Sequence, residues 1–308
     1  MARPATMRAG PAAESLADVL DARVKVSDTA TAWLDGELVK LADRVGDELG
    51  RLVQAGPSGK VGDATRAQLL RHNLQDVLDI LDDLGMDDAR QGWFARHAAV
   101  AQAAAASLEA SGALDDADAA LDTQAVRSAI AAHLGRTEET FWDGKVARPT
   151  AERILSELHR QALGGTLDDL AATIEVELGI TRAQALTEAR TSIAEFDRFV
   201  AEEVALEVDP TGSELLRYYG GPTDALLRPF CGELVGLVFT LEQVASLNNG
   251  QIGGVGGPIH FGGGYNCRHV WSAVHRDDVS AFGATLGTAG NVAAANAAAG
   301  DPGRRGKR

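Results

Sequence analysis

Four side chains near the C-terminal end of this sequence are of types that bind soft or borderline metal ions: Cys231, His260, Cys267 and His269. A thiolate and a neutral imidazole each offer a lone pair to an ion such as zinc, which gathers such donors tetrahedrally. Cys267 and His269 are two residues apart, and on an extended segment that spacing turns both side chains to one face. Cys231 would be a third donor brought in by folding, and His260 a fourth. The spacing matches none of the common zinc-finger templates. The protein's two cysteines are equally compatible with a buried pair of free thiols, or with a disulfide formed outside the cell.

Other chemistry is thinner. Asp224 and Arg228 are four apart, which on a helical turn allows an ion pair that would position Cys231. No second carboxylate pairs with Asp224 as an acid–base partner, and Glu233 and Glu242 stand alone. The glycine-dense run from Gly250 to Gly264 lacks the Gly-Lys-Ser/Thr of a phosphate loop and the helix that follows a dinucleotide fingerprint, so it reads as a connection. His72, His97, His133 and His159 are isolated on predicted helices and read as surface or cap residues, and His275 as a surface residue. Trp33, Trp93, Trp142 and Trp271 read as core anchors.

The segments that carry these residues fall into two kinds. From Asp28 to Ala55, Leu34, Leu38, Leu41, Val45, Leu49 and Leu52 follow the three-and-four spacing of a helical face, stopped by Gly56-Pro57. Leu70, Leu74, Val77, Leu81 and Leu84 repeat it, with Gly85 as C-terminal cap. An alanine-rich helix is expected over 95–110, and a helix starting at Pro149 and ending at Gly164-Gly165. Thr166 and Thr181 read as N-caps, the second as a capping box with Gln184 that opens the stripe Ile193, Phe196, Val200 and Val204. Asp209-Pro210 then breaks the helix.

Beyond the break, strands are expected at 215–219 and 266–274 around a glycine-interrupted segment at 234–239, with a capping box at Thr240 and a loop over 249–264. The expected fold is therefore mainly α: a helical bundle or extended helical region over residues 1–209, then a small α+β module with a glycine-rich loop over 210–280. The Ala/Gly/Asn-rich tail, 281–308, is expected to be disordered.

At 308 residues and 45% hydrophobic, the chain can bury a sizeable core. Only 5% of it is aromatic, so that core must rest on Ala, Leu and Val, as helix-on-helix cores do. The net charge of -15 opposes broad electrostatic binding to nucleic acid. The run Arg304, Arg305, Lys307 and Arg308 reads as a solvated terminus, or as a short arm making weak contact with DNA. Residues 1–10 carry arginines with no apolar segment behind them, and no apolar run is long enough to span a bilayer, so folding in the cytosol without membrane contact is expected.

The combination of Tyr218-Tyr219-Gly220-Gly221-Pro222 with Asp224, Arg228-Pro229-Phe230-Cys231, Gly236, Phe239-Thr240-Leu241-Glu242, Asn249-Gly250-Gln251 and Gly263-Gly264-Tyr265-Asn266-Cys267-Arg268-His269 resembles the C-terminal module of the phage Mu F-like head morphogenesis proteins, or minor head proteins. The resemblance covers roughly the last third of the chain before the tail. It implies a phage or prophage protein that works in head assembly with the portal and with capsid or scaffold proteins, in the virion head or neck, behind a variable helical N-terminal part. It also implies that Cys231, Cys267 and His269 form a structural cluster able to bind a metal, with zinc as the candidate. His260, in a segment the resemblance does not align, is added on residue type alone. The reading from another class is a metal-dependent hydrolase or toxin-like enzyme, which would need an open metal position and a nearby base. The sequence offers no convincing base.

Overall fold

The computed structural model describes residues 16–52, 70–162, 167–252 and 257–299. The Gly56-Pro57 stop, the Gly164-Gly165 break with its Thr166 cap, and the basic run at 304–308 lie outside the described residues, as do the side chains of Leu49 and Leu52. The described chain is mainly helical, with one small mixed sheet in its C-terminal part, as the sequence leads one to expect.

Three long helices form the body: α1 (Leu16–Leu52), α3 (Met86–Ala110) and α7 (Leu167–Val208). They pack on one another through Leu34, Leu38 and Leu41 of α1, Trp93, Ala104 and Leu108 of α3, and Ala189, Ile193, Phe196 and Val200 of α7. Alanines at buried positions allow close axial approach, so few aromatics are needed. Between α1 and α3, α2 (Leu74–Asp83) is opened by a reciprocal capping box between Asn73 and Asp76. Gly85, at φ +102°, turns the chain from α2 straight into α3, with the Arg44 guanidinium where a Cβ would lie.

Two helical boundaries read from the sequence are corrected. The start predicted at Pro149 lies within one helical run made of α5 (Gln124–Thr137), a π-helix (Glu138–Ala147) and α6 (Arg148–Ala162). The π segment ends where the Arg148 N–H reaches back to the Asp143 carbonyl, so proline's missing N–H falls at a change of hydrogen-bond pattern and breaks no continuous ladder. The second N-cap predicted at Thr181 is buried inside α7, which runs unbroken through Gly179. Burial of Ala185, Ala189 and Ile193 behind it outweighs the local preference for a cap. The short helix α4 (Ala117–Leu121), capped by Asp116, fills the acidic connection.

After α7 the Asp209 carboxylate accepts the Glu214 and Leu215 N–H groups at 2.8 and 2.9 Å, closing the predicted break and starting β1 (Leu215–Gly220). The sheet order is β3-β1-β2-β4, with β3 (Val270–His275) and β2 (Leu237–Phe239) antiparallel to β1 and β4 (Thr285–Leu286) parallel to β2. Alternation divides the strands cleanly. Leu215 and Ala273 join the helical core, while Leu216, Val270 and Val274 meet Leu16 and Leu20 of α1 on the opposite face. The break at residue 209 is therefore a turn in the chain, with helices of the N-terminal part covering both faces of the sheet.

The disorder expected for the tail is corrected over its described part, residues 281–299. Thr288 caps α11 (Ala289–Ala298) in a reciprocal box with Asn291, and Val292 and Ala295 bury against the module. Asn296 accepts from the Asn248 N–H at 2.7 Å and donates to the Ser246 carbonyl at 3.0 Å. A composition that looked featureless is alanine, the strongest helix former, with asparagines placed as cap and clip.

Candidate metal centre

The thiols come from two short turns. Arg228 is extended and Pro229 opens the single turn α8 (Pro229–Gly232), which points Cys231 inward. Cys267 follows a tight turn in which its N–H bonds to the Gly264 carbonyl and Asn266 takes φ +57°. His269 stands just before β3, so Cys267 and His269 share a site although neither lies in a strand. Tyr219 comes from β1, opposite Trp271.

Cys231, Cys267 and His269 are all buried, and their candidate ligand atoms lie within 4.8 Å of one another, a grouping that could hold a metal ion. The Cys231 and Cys267 Sγ atoms are 3.9 Å apart, and Cys267 Sγ is 3.7 Å from His269 Nδ1. Two sulfurs at about 2.3 Å from a tetrahedral ion would be about 3.8 Å apart. His269 Nε2 is 3.0 Å from the Pro222 carbonyl, an acceptor only, so Nε2 carries the proton and the Nδ1 lone pair faces the thiols. That outer-shell bond is the arrangement that orients a ligating imidazole.

Glycines close the site. A Cβ on Gly263 would lie 2.4 Å from Cys231 Sγ, and one on Gly221, at φ +138°, would lie 2.9 Å from His269. The Gly263 N–H donates to Cys267 Sγ at 3.1 Å. Arg228 holds this cover by donating to the Gly263 and Tyr265 carbonyls. Asp224 pairs with Arg268 at 2.7 and 2.8 Å, not with Arg228 as its i,i+4 spacing predicted, because Arg228 turns toward the glycine loop. The loop itself carries the short helix α10 (Gly257–Phe261), after the predicted turn at Thr240 has opened α9 (Leu241–Ala245). Buried Asn249 braces the loop, donating to the Gly262 carbonyl and accepting the Gln251 and Ile252 N–H groups.

The hydrogen bond from Cys231 holds the Cys267 thiol well below the ordinary range, with help from the Arg198 charge; the same bond, together with burial, raises Cys231. Arg198, from α7, donates to the His269 carbonyl at 2.8 Å and to the His260 carbonyl, while its Nη2 is buried with no hydrogen-bond partner. A buried guanidinium beside two thiols suits a site that gathers negative charge.

His260 is not part of the group. It lies on α10, which packs against α7, and its ring meets Phe199 edge-on at 5.7 Å. His97 and His133, expected at the surface, are also buried, wedged among Trp93, Phe196 and Phe199 with pKa values lowered to about 4, chiefly by burial. Sequence reasoning assigned no role to Tyr219, Arg198 or Asn249. Tyr219 and Asn249 lay within the quoted motifs, but nothing marked Arg198 on its helix. Nor did it find the buried pairs Arg23–Asp197 at 2.7 Å and Arg217–Glu202 at 2.6 Å, through which α1 and α7 grip the sheet. Comparison of this chain with protein-family models, with curated proteins and with solved structures finds no match.

Proposed function

We propose that this protein is a non-enzymatic assembly protein of a phage head, in which Cys231, Cys267 and His269 bind one structural zinc ion that fixes the C-terminal module. The observation that carries the reading is the closure of the cluster: its three donors are at most 4% exposed, with Gly262 and Gly263 against the two sulfurs and Gly221 against the imidazole. A structural zinc site is closed, whereas a catalytic one keeps a position open to water and substrate. That closure speaks for a structural ion and against the hydrolase reading. The soft donor set, two thiols and an imidazole, favours zinc over calcium or magnesium.

The phage assignment rests on the sequence motifs. The residues quoted for the resemblance are those that build the site: Arg228 and Asn249 hold the loop, Gly263 covers the thiols, and Asp224 pairs with Arg268. In the assembly reading the portal, with capsid or scaffold proteins, is the partner. Leu34 to Val45 and Val77 to Leu81 are spent in the protein's own core, so the partner meets other surfaces.

Elemental analysis of the full chain tests the metal claim. Close to one zinc per chain is expected, falling to background in Cys231→Ser. A metal-free protein with two titratable thiols would overturn it. Co-expression and co-purification with a phage portal protein tests the assembly claim, and absence of any complex would count against it.

A further inference from the structure

Three donors leave a zinc ion one short of its usual four, and the glycine cover leaves the cluster closed to solvent. One further oxygen lies inside it. Tyr219 Oη is 3.4 Å from Cys231 Sγ and 3.6 Å from Cys267 Sγ. Those separations match the edges of the arrangement that the two sulfurs and His269 Nδ1 already outline. The phenol is completely buried, and its ring stacks on the His269 imidazole at 5.4 Å and 14°, so a single packing contact fixes both side chains. A Cβ on Gly262 would lie 3.0 Å from Cys267 Sγ and 3.4 Å from both Tyr219 Oη and Arg198 Nη1. The phenol oxygen, the sulfur and the guanidinium therefore converge on one point.

We propose that Tyr219 supplies the fourth ligand through its phenol oxygen, completing a centre of two thiolates, one imidazole and one phenolate with no water position. The inference rests on the zinc reading above. On binding, the zinc–sulfur and zinc–oxygen bonds form, and the phenolic proton and the thiol protons of Cys231 and Cys267 leave to solvent. Two thiolates and one phenolate around a dication leave one negative charge, and the buried Arg198 guanidinium with its unpaired Nη2 stands beside it as the counter-charge. A tyrosine phenol, with an ordinary pKa of about 10, is protonated at neutral pH, so a tyrosinate signature there marks the metal-bound state.

The test is a zinc titration of metal-free full-length protein, followed by ultraviolet difference absorption and by competition with a chromophoric chelator. A tyrosinate band that grows to an end point at one zinc per chain is expected. It should persist in Tyr218→Phe, whose ring lies on the opposite face of β1, and vanish in Tyr219→Phe, with affinity lower by at least about tenfold, since even outer-shell partners act on that scale. Zinc bound by the wild type with no such band, or Tyr219→Phe binding as tightly as the wild type, would overturn the role of Tyr219 and leave the three-donor site of Cys231, Cys267 and His269 standing. Wild type that binds no zinc would overturn both. The band is read on the wild type, so the inference stays falsifiable even if a variant fails to fold.

Discussion

Single atoms decide whether the cluster can close. Gly263 is conspicuous because a Cβ there would sit 2.4 Å from Cys231 Sγ, well inside van der Waals contact, in a loop held by Arg228. Gly263→Ala is expected to lower stability in urea by roughly 1–3 kcal/mol, the usual scale of overpacking, and to reduce zinc retention. Gly36→Ala is the matched control: it lies exposed on α1 with nothing within 4 Å of the new Cβ. There alanine should be neutral or stabilising by up to about 1 kcal/mol, because it loses less backbone freedom on folding. Equal effects at the two positions would mean that the cover over Cys231 is looser than its geometry implies. Residue type alone found Cys231, Cys267 and His269 but also admitted His260. The sequence holds nothing that tells an imidazole aimed at two thiols from one aimed at Phe199.

Among the elements, α7 does most to hold the site in place. One stretch of it presents Asp197 to Arg23 of α1, Arg198 to the carbonyls of His260 and His269, and Glu202 to Arg217 of β1. The Arg217–Glu202 pair is bidentate, at 2.6 and 2.9 Å, and almost fully buried. Removing one member of such a pair leaves an uncompensated charge in a dry interior. Glu202→Gln is expected to cost about 3–5 kcal/mol in denaturant unfolding. The double change Glu202→Leu, Arg217→Met should recover most of that loss, since apolar replacement of both partners is often neutral. A single variant with wild-type stability would show that water reaches the pair. The linear pattern shows an apolar stripe on α7 and stops there, because charged residues on a helix read as a solvated face until a sheet is known to cover them.

Across the full chain, the sheet that carries the centre belongs to both halves. Leu16 and Leu20 cover one face of it, the helical core takes Leu215 and Ala273 on the other, and Arg23 and Ser111 donate to the Trp271 and Ala273 carbonyls along the free edge of β3. A fragment of residues 210–299 would expose both faces and lose the Arg198 brace. It is expected to show no cooperative thermal transition and weaker zinc binding than the full chain, which is expected to unfold cooperatively. A fragment that folds and binds zinc like the full chain would restore the independent module suggested by the break at Asp209-Pro210.

Local chemistry was legible in the linear chain. Apolar spacing marked the faces of α1 and α2, the capping box marked the turn at Thr240, Asp209 marked the break, and the cysteines marked the donors. Three outcomes waited for the folded molecule: which helix runs on through a cap signal, which tail folds, and which imidazole joins the thiols. Each depends on burial against segments far away in the chain. Asp35 of α1 holds Arg182 beside Thr181, the core around α8 receives Val292, and the Gly262–Gly263 backbone lies over the thiols. The free energy of such contacts is set by the partner surface, and no local window of sequence contains it.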